Sequence, residues 1–437
     1  MEPPKLPPPS TQPSNCASTP SENSDHMRHR VRSARIPVLL AAALLAASCS
    51  STETSFPPTT PPPTTAAPST AAPDTAVPAA TDAPSVEEPA PTATPDTAIP
   101  DTAAPDTGTP APDAPATTEP PPSTTETLVP WTGAHHPLTG LPAVNGLSRL
   151  PALAVKIGNN DTRSLPQVGL EAADIVYETH IENNVTRFLG IYQSHLPDRI
   201  GLVRSARSTD IDLIGNLKTP YFAYWGSNEG VGDEVRAAES VGTFVARSTS
   251  GAGQENFVRD DSRGASPFNG FLNAQGLMAA ATGTAPDPVF RYGDRPASAV
   301  PAAGARWSTP NRQIDYVWDT TTRRWLRYQG GVPQLDQNGV QLAADNVLFL
   351  YVDYKVSAAD FDSPQAISIG SGDGWLLRDG TVTGVVWGRP FVSNAWHLAD
   401  DDTGDIVELA PGTTWVALAR LGEGKVLDLA EAAAVTG

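Results

Sequence analysis

Asp174-Ile-Val-Tyr-Glu-Thr-His-Ile181, followed after Glu182-Asn183-Asn184 by Val185-Thr-Arg-Phe-Leu-Gly-Ile-Tyr-Gln193, is the stretch that decides the fold. β-Branched and aromatic residues fill both runs, and the polar residues between them are typical of a turn. The stretch therefore predicts a β-hairpin. Apolar runs at 152–157 and 199–203 predict further strands for the same sheet.

Helical patterns alternate with these strands. Ser208 is a candidate N-cap, because Asp210 follows in the first turn of an amphipathic segment. A second helix is predicted over 233–239, and Ser266-Pro267 predicts the start of a third helix over 268–281. Strands that alternate with helices indicate an α/β-type sandwich domain, which we place at residues 131–293.

From residue 306 onward, the pattern is almost entirely that of short strands. Asp379-Gly380 separates two apolar runs and predicts a tight hairpin with positive φ angles. Residues 405–409 and 413–418 predict another hairpin around Pro411-Gly412. The chain is thus predicted to be α+β, with a small mostly-β domain at 306–437. Residues 294–305, rich in proline and alanine, are predicted to join the two domains.

Residues 27–48 resemble a lipoprotein signal peptide. A basic start, an apolar run too short to span a bilayer and a small-residue exit precede Cys49. We therefore predict that Cys49 is lipidated and anchors the protein on the outer face of the cytoplasmic membrane, facing the cell wall. The alternative is an ordinary secreted protein with an incidental cysteine. Residues 1–26 are predicted to be a non-native or mis-started extension, with Met27 as the initiator.

Residues 49–130 are predicted to form the lipid anchor and a disordered linker. The segment is built of Pro, Thr, Ala, Ser and Asp, and it repeats Pro-Asp-Thr-Ala at Asp74, Asp96 and Asp101. Such a composition buries too little apolar surface to offset the entropy of ordering the chain. The linker is therefore interpreted as a stalk that carries the folded part away from the membrane.

The formal net charge is −19 and the sequence pI is about 4.7, which excludes a general nucleic-acid-binding surface. No complete catalytic motif and no metal-ligand spacing are found, and no cofactor is predicted. The carboxylates Glu178 and Glu182 are a candidate pair for glycoside hydrolysis, but nothing else in the sequence specifies a sugar cleft. The sequence therefore favours a protein that is not an enzyme.

A family resemblance covers residues 137–420. It rests on Gly201-Leu-Val-Arg-Ser-Ala-Arg207, on Arg259-Asp260 with Arg263, Pro267 and Asn269, and on Pro411-Gly-Thr-Thr-Trp415. These motifs resemble the DUF3048 family of bacterial lipoproteins. Because that family has no settled biochemical function, the resemblance implies a location and a fold but little mechanism.

The arginines of these motifs are the candidate site. Arg204 and Arg207 leave an apolar strand ahead of one predicted helix, and Arg259 and Arg263 precede another. Arginines beside helix N-termini hold phosphate or carboxylate groups by charge-assisted hydrogen bonds. We therefore predict an anion-binding site at Arg204, Ser205, Arg207, Arg259, Arg263 and Asn269, with Asp174, Glu178, Arg187 and Asp260 in support. The alternative is that the arginines pair with nearby acids and organise loops.

Three functions remain open. The first is a non-enzymatic binding or scaffolding lipoprotein that contacts cell-wall synthesis proteins or peptidoglycan. The second is an envelope enzyme or binder that acts on a phosphorylated ligand, such as a polyprenyl phosphate or glycopolymer, through the arginine cluster. The third is a solute-binding lipoprotein with its small ligand held between domains. The all-β pattern of the second domain disfavours the third, because bilobed receptors usually have two similar α/β lobes.

Overall fold

The computed structural model describes residues 133–437, so the predicted signal peptide, Cys49 and nearly all of the predicted linker lie outside the described residues. Four α-helices are present in this range: α1 (Ser208–Ile214), α2 (Glu229–Ser240), α3 (Ala274–Met278) and α4 (Leu429–Thr436). None of the described helices is long and apolar enough to cross a membrane.

Strands make up most of the regular structure in this part of the chain. In chain order they are β1 (Leu153–Gly158), β2 (Ile175–His180), β3 (Thr186–Tyr192), β4 (Arg199–Gly201), β5 (Tyr221–Ala223), β6 (Val245–Arg247), β7 (Phe257–Arg259), β8 (Gly270–Asn273), β9 (Val300–Pro301), β10 (Gly304–Thr309), β11 (Arg312–Asp319), β12 (Arg324–Gln329), β13 (Val332–Pro333), β14 (Ala343–Ala344), β15 (Asn346–Tyr351), β16 (Tyr354–Val356), β17 (Pro364–Ala366), β18 (Gly370–Arg378), β19 (Thr381–Arg389), β20 (His397–Asp400), β21 (Thr414–Ala419) and β22 (Gly424–Leu427). The fold is α+β, as predicted.

The largest sheet has 11 strands, ordered β20-β19-β18-β15-β21-β2-β3-β1-β5-β6, with β9 beside β19. Strands from both predicted domains share it, because β21 runs parallel to β2 on one side and to β15 on the other. A 6-stranded sheet contains β13-β12-β11-β10-β22, with β14 beside β12. Two smaller sheets, β16-β17 and β4-β8-β7, complete the strand pairing of the described residues.

The large sheet is covered on both faces, which gives three layers. Ile157, Phe188 and Val347 on one face pack with Trp307 and Tyr316 of the 6-stranded sheet. On the other face, a second core joins strand residues such as Ala154 and Leu189 to Leu213 of α1 and Val235 of α2. Every residue of β1, β2 and β3 is buried, which explains why these strands are mostly apolar rather than strictly alternating.

The predicted hairpins have different outcomes. The first is confirmed, since β2 and β3 pair in antiparallel fashion around a short turn in which Asn183 and Asn184 have positive φ. The Asp379-Gly380 turn is also confirmed, with φ angles of 50° and 71° between β18 and β19. The hairpin over 405–418 is wrong: β21 instead pairs with two distant parallel strands, a long-range pairing that local turn residues do not reveal.

The helix predicted over 268–281 is also wrong. Residues Gly270–Asn273 form β8 between β4 and β7, and only Ala274–Met278 is helical. Phe271 and Leu272 are fully buried, so burial in a sheet outweighs helical propensity here. Gly270 permits a close approach by the Trp225 ring, which would lie 2.6 Å from an added Cβ.

A buried ion pair joins the two large sheets. Nη2 of Arg327 on β12 donates to both carboxylate oxygens of Glu178 on β2, each at 2.8 Å, and both side chains are 1% exposed. Glu178 Oε1 also accepts from Thr186 Oγ1 at 2.6 Å and from Asn159 Nδ2 at 3.2 Å. The Arg327 guanidinium lies 4.9 Å from the ring centre of Trp415. The buried charge of Arg327 therefore has a carboxylate counter-ion and aromatic contacts, although its Nε and Nη1 have no hydrogen-bond partner in the described residues.

We expect Arg327→Met to lower the free energy of unfolding by about 3 to 5 kcal/mol, because it leaves Glu178 buried without a counter-charge. Urea unfolding followed by circular dichroism measures the loss. The double variant Glu178→Gln with Arg327→Met is the control, and it should recover part of the stability. Equal losses in the single and double variants would contradict this account.

Candidate functional site

Arg187 occupies β3 but faces away from the Glu178–Arg327 pair. Side chains alternate along a strand, and the register places Phe188 opposite Glu178 but Arg187 opposite Thr179, on the helix-covered face. Arg187 is only 6% exposed. Its Nη1 donates to the Ser205 carbonyl at 3.3 Å, whereas its Nε has no hydrogen-bond partner in the described structure.

Arg187 forms no ion pair with any carboxylate of residues 133–437. Burial and then the neighbouring Arg207 lower the pKa of Arg187 to about 9, so the group is still protonated at pH 7. The hydroxyl of Thr179, across the strand pair, is also buried without a partner. A buried cation beside an unpaired hydroxyl is a costly arrangement that an anionic ligand would relieve.

Two more arginines, Arg204 and Arg207, lie near Arg187 on the segment that follows β4. Arg204 Nη1 donates to the Pro267 carbonyl at 2.8 Å, and its guanidinium lies 4.9 Å from the Phe268 ring centre. Gly158, at the end of β1, makes room for this side chain, since an added Cβ would lie 2.9 Å from Arg204 Cγ. Arg207 Nε donates to Glu182 Oε1 at 2.6 Å, so the hairpin turn supplies its carboxylate partner.

Lys156 and Asp210 form a buried ion pair close to these arginines. Lys156 Nζ lies 2.6 Å from Asp210 Oδ1, and both side chains are fully buried. Burial lowers the pKa of Lys156, Asp210 raises it, and the nearby Arg187 and Arg207 lower it further. Asp210 Oδ2 also accepts from the Arg207 backbone N–H at 2.8 Å. Asp210 is therefore already committed to two partners and makes no hydrogen bond with Arg187, although Asp210 and Glu182 both act to raise the pKa of Arg187.

The group as a whole carries excess positive charge. Burial, and next Arg207, lower the pKa of Arg204, which shows that the guanidinium groups lie close enough to repel one another. Although burial opposes ionisation, Arg207 and Ser363 lower the pKa of Glu182. Four cations are thus set against two carboxylates; we name this set the arginine cluster, consisting of Lys156, Arg187, Arg204, Arg207, Glu182 and Asp210.

The predicted second arginine pair has other partners. Arg259 Nη1 donates to Asn269 Oδ1 at 2.6 Å, and its guanidinium lies 4.6 Å from the Trp225 ring centre. Arg263 Nη2 donates to the Pro166 carbonyl at 2.9 Å. No helix begins at Ser266, so the predicted helix N-terminus beside these arginines is wrong. α1 has only seven residues, and the arginine cluster is therefore argued from side chains alone.

The predicted supporting acids are also dispersed. Asp260 pairs with Arg199, whose Nη2 lies 2.6 Å from Oδ2. Asp174 accepts from the backbone N–H groups of Gln193 and Ser194 at 2.7 and 2.9 Å. Glu178 lies on the opposite face of the sheet from Arg187. Because Glu178 binds Arg327 and Glu182 binds Arg207, the structure does not bring these two carboxylates together as a catalytic pair.

Sequence reasoning missed Lys156 and the pairing of Glu182 with Arg207. A usable signal was present, since Lys156 and Arg187 are lone charges inside otherwise apolar strands. Lysine and arginine are rarely buried without a partner. Two such residues in neighbouring strands therefore indicate a shared polar site.

The comparisons with known proteins place this fold and its arginine motifs in a family of uncharacterised proteins. The family model for the N-terminal domain of the DUF3048 proteins of unknown function matches residues 138–287. The model for the C-terminal domain of the same family matches residues 304–416. The chain therefore belongs to the DUF3048 family, which confirms the resemblance found in the sequence.

One curated relative and one solved structure are similar to this chain. "Putative lipoprotein YerB" of Bacillus subtilis (strain 168) is 27% identical over 292 residues, which are 64% of this chain and 84% of the relative. The crystal structure of the YerB protein from Bacillus subtilis matches with a TM-score of 0.57 at 22% identity. It covers 68% of this chain and 100% of the solved chain, and it supports the fold alone.

We expect Arg187→Met to leave the ligand-free protein equally stable or to stabilise it by about 1 to 3 kcal/mol, because the change removes a buried charge that has no counter-ion. Thermal or urea unfolding in phosphate- and sulfate-free buffer measures this. Arg327→Met serves as the matched control, since it is the same substitution at a buried arginine that has a carboxylate partner. A loss at Arg187 as large as that at Arg327 would mean that Arg187 is structural.

Proposed function

We propose that this protein is a lipid-anchored lipoprotein of the cell envelope whose folded part binds an anionic group of an envelope component, without catalysing a reaction. The observation that carries the proposal is Arg187, a buried guanidinium that has no hydrogen-bonded carboxylate and donates to Ser205, the residue that follows Arg204 in the chain. Guanidinium groups bind phosphate and carboxylate by paired, charge-assisted hydrogen bonds. The ligand would supply the negative charge that the described residues do not.

The location rests on the sequence before the folded part. The curated relative is described as a lipoprotein, and Cys49 follows a signal-like segment. A lipid on Cys49 and the 49–130 segment would hold the arginine cluster outside the cytoplasmic membrane. Peptidoglycan and the proteins that synthesise the cell wall are the partners within reach of such an anchor.

Arg207→Ala should weaken the binding of inorganic phosphate or pyrophosphate at least about tenfold, because one charge-assisted contact contributes roughly 1.5 to 3 kcal/mol. The melting temperature of the free protein should change little. Isothermal titration calorimetry at low salt measures the binding. Arg236→Ala is the control, because it removes the same charge from a side chain that is 68% exposed and outside the cluster. Equal weakening in both variants, or no binding by the parent protein, would refute the proposed function.

Cys49→Ser should move the protein from the membrane fraction to the soluble fraction, because it removes the thiol that would carry the lipid. Fractionation of cells that express either form, followed by immunoblotting, measures the distribution. A Ser50→Ala variant controls for disturbance of the same segment. If the Cys49→Ser protein stays with the membrane, the lipid anchor at this residue is wrong.

A further inference from the structure

The hairpin turn that supplies Glu182 also lines a cavity of about 270 Å³ beside the arginine cluster. Its lining includes Glu182, Asn183 and Asn184 of this turn, together with Lys355, Phe361 and Asp362. The volume lies just below the range of about 300 to 1,000 Å³ for clefts that hold drug-sized ligands. The cavity is therefore suited to a small group, about the size of one sugar ring.

The chemistry of the lining favours a hydroxyl-rich ligand. Four polar side-chain groups of the lining form no hydrogen bond with another described residue. They are the side-chain amides of Asn183 and Asn184, the Asp362 carboxylate and the Lys355 ammonium. Amides both donate and accept, carboxylates accept and ammonium groups donate, so together they can pair with the donors and acceptors of neighbouring hydroxyl groups.

An aromatic surface is available on the same cavity. Phe361 is 83% exposed, so its ring is accessible to a ligand in the cavity. The face of an aromatic ring carries negative charge density and attracts the polarised C–H groups on one face of a sugar. The aromatic ring can pack against the C–H groups of a sugar ring, and the hydrogen-bonding groups can pair with its hydroxyl groups.

Glu182 connects this cavity with the arginine cluster. Its carboxylate binds Arg207 Nε at 2.6 Å and also accepts a hydrogen bond from the Ser363 hydroxyl, and both Glu182 and Ser363 line the cavity. A ligand with its ring in the cavity would therefore bring a substituent to Glu182 and to its partner Arg207. That position selects for an anionic substituent.

We infer that the ligand of the arginine cluster is an anionic sugar, with its ring in the cavity beside Phe361 and its phosphate or carboxylate at Arg207. The inference rests on the proposed anion-binding function and adds the class of ligand to it. Sugar phosphates and uronic acids share this chemistry, and the test distinguishes between them.

The test compares the affinity of the full-length protein for glucose 1-phosphate with its affinity for inorganic phosphate, and its affinity for glucuronate with its affinity for acetate. The sugar-bearing probe of at least one pair should bind about tenfold more tightly than the bare anion. The pair that shows the gain identifies the anionic group. Equal affinity within both pairs would overturn the inference and leave the proposed function intact. Absence of binding by either bare anion would instead count against the proposed function.

Phe361→Ala should abolish the gain from the sugar and leave phosphate or acetate binding unchanged. Phe391→Ala is the matched control, because this ring is 70% exposed but does not line the cavity. Asn183→Gly is a second probe; Asn183 has a φ of 62°, which glycine adopts freely, so the turn is kept while the amide is removed. A gain that survives both Phe361→Ala and Asn183→Gly would overturn the placement of the sugar. Tighter binding of an acidic peptide than of either sugar would assign the cavity to a protein partner and overturn the inference as well.

Discussion

The ion pair between Glu178 and Arg327 is the constraint on which the rest of the fold depends. It lies between the two large sheets and links β2, from the N-terminal family domain, to β12, from the C-terminal one. Burying either charge without its partner would cost free energy, so the two sheets are most stable in the register that joins these residues. Glu178 points toward the 6-stranded sheet, so the alternate side chains of β2 and β3 point toward the helices. Arg187 is one of these alternate residues.

The contrast between Arg327 and Arg187 is the main physical argument for a binding site. Both are buried arginines on strands of the sandwich, but Arg327 has a carboxylate at 2.8 Å and three aromatic rings around it. Arg187 has one long hydrogen bond to a carbonyl and no ion pair with a described carboxylate, and its charged neighbours are Arg207 and Arg204 as well as Glu182 and Asp210. The free energy spent on an unpaired buried charge is tolerated where it serves a ligand. The same side chain thus has a structural role at one position and indicates recognition at the other.

The sequence predicted the parts of the fold that local chemistry controls. The β2–β3 hairpin and the Asp379-Gly380 turn follow from residues adjacent in the chain, and both are confirmed. β21 lies between β2 and β15, and it pairs with β2 residues that are more than 200 positions away in the sequence. No local sequence pattern contains that information. For the candidate site, Arg204 and Arg207 were predicted from a motif, but Lys156 and the pairing of Glu182 with Arg207 were not, because these depend on which face of a strand or turn meets the cluster.

Glu182 explains how the proposed anion site and the proposed sugar site would act as one. In the ligand-free structure its carboxylate neutralises Arg207, so an incoming anion competes with it for that guanidinium. An anion that binds Arg207 by itself leaves the Glu182 carboxylate without that partner. A ligand that also donates hydroxyl groups to Glu182 keeps that carboxylate hydrogen-bonded while its own charge pairs with Arg207. The pairing of an acid with an excess of arginines therefore favours anionic ligands that carry hydrogen-bond donors over simple anions.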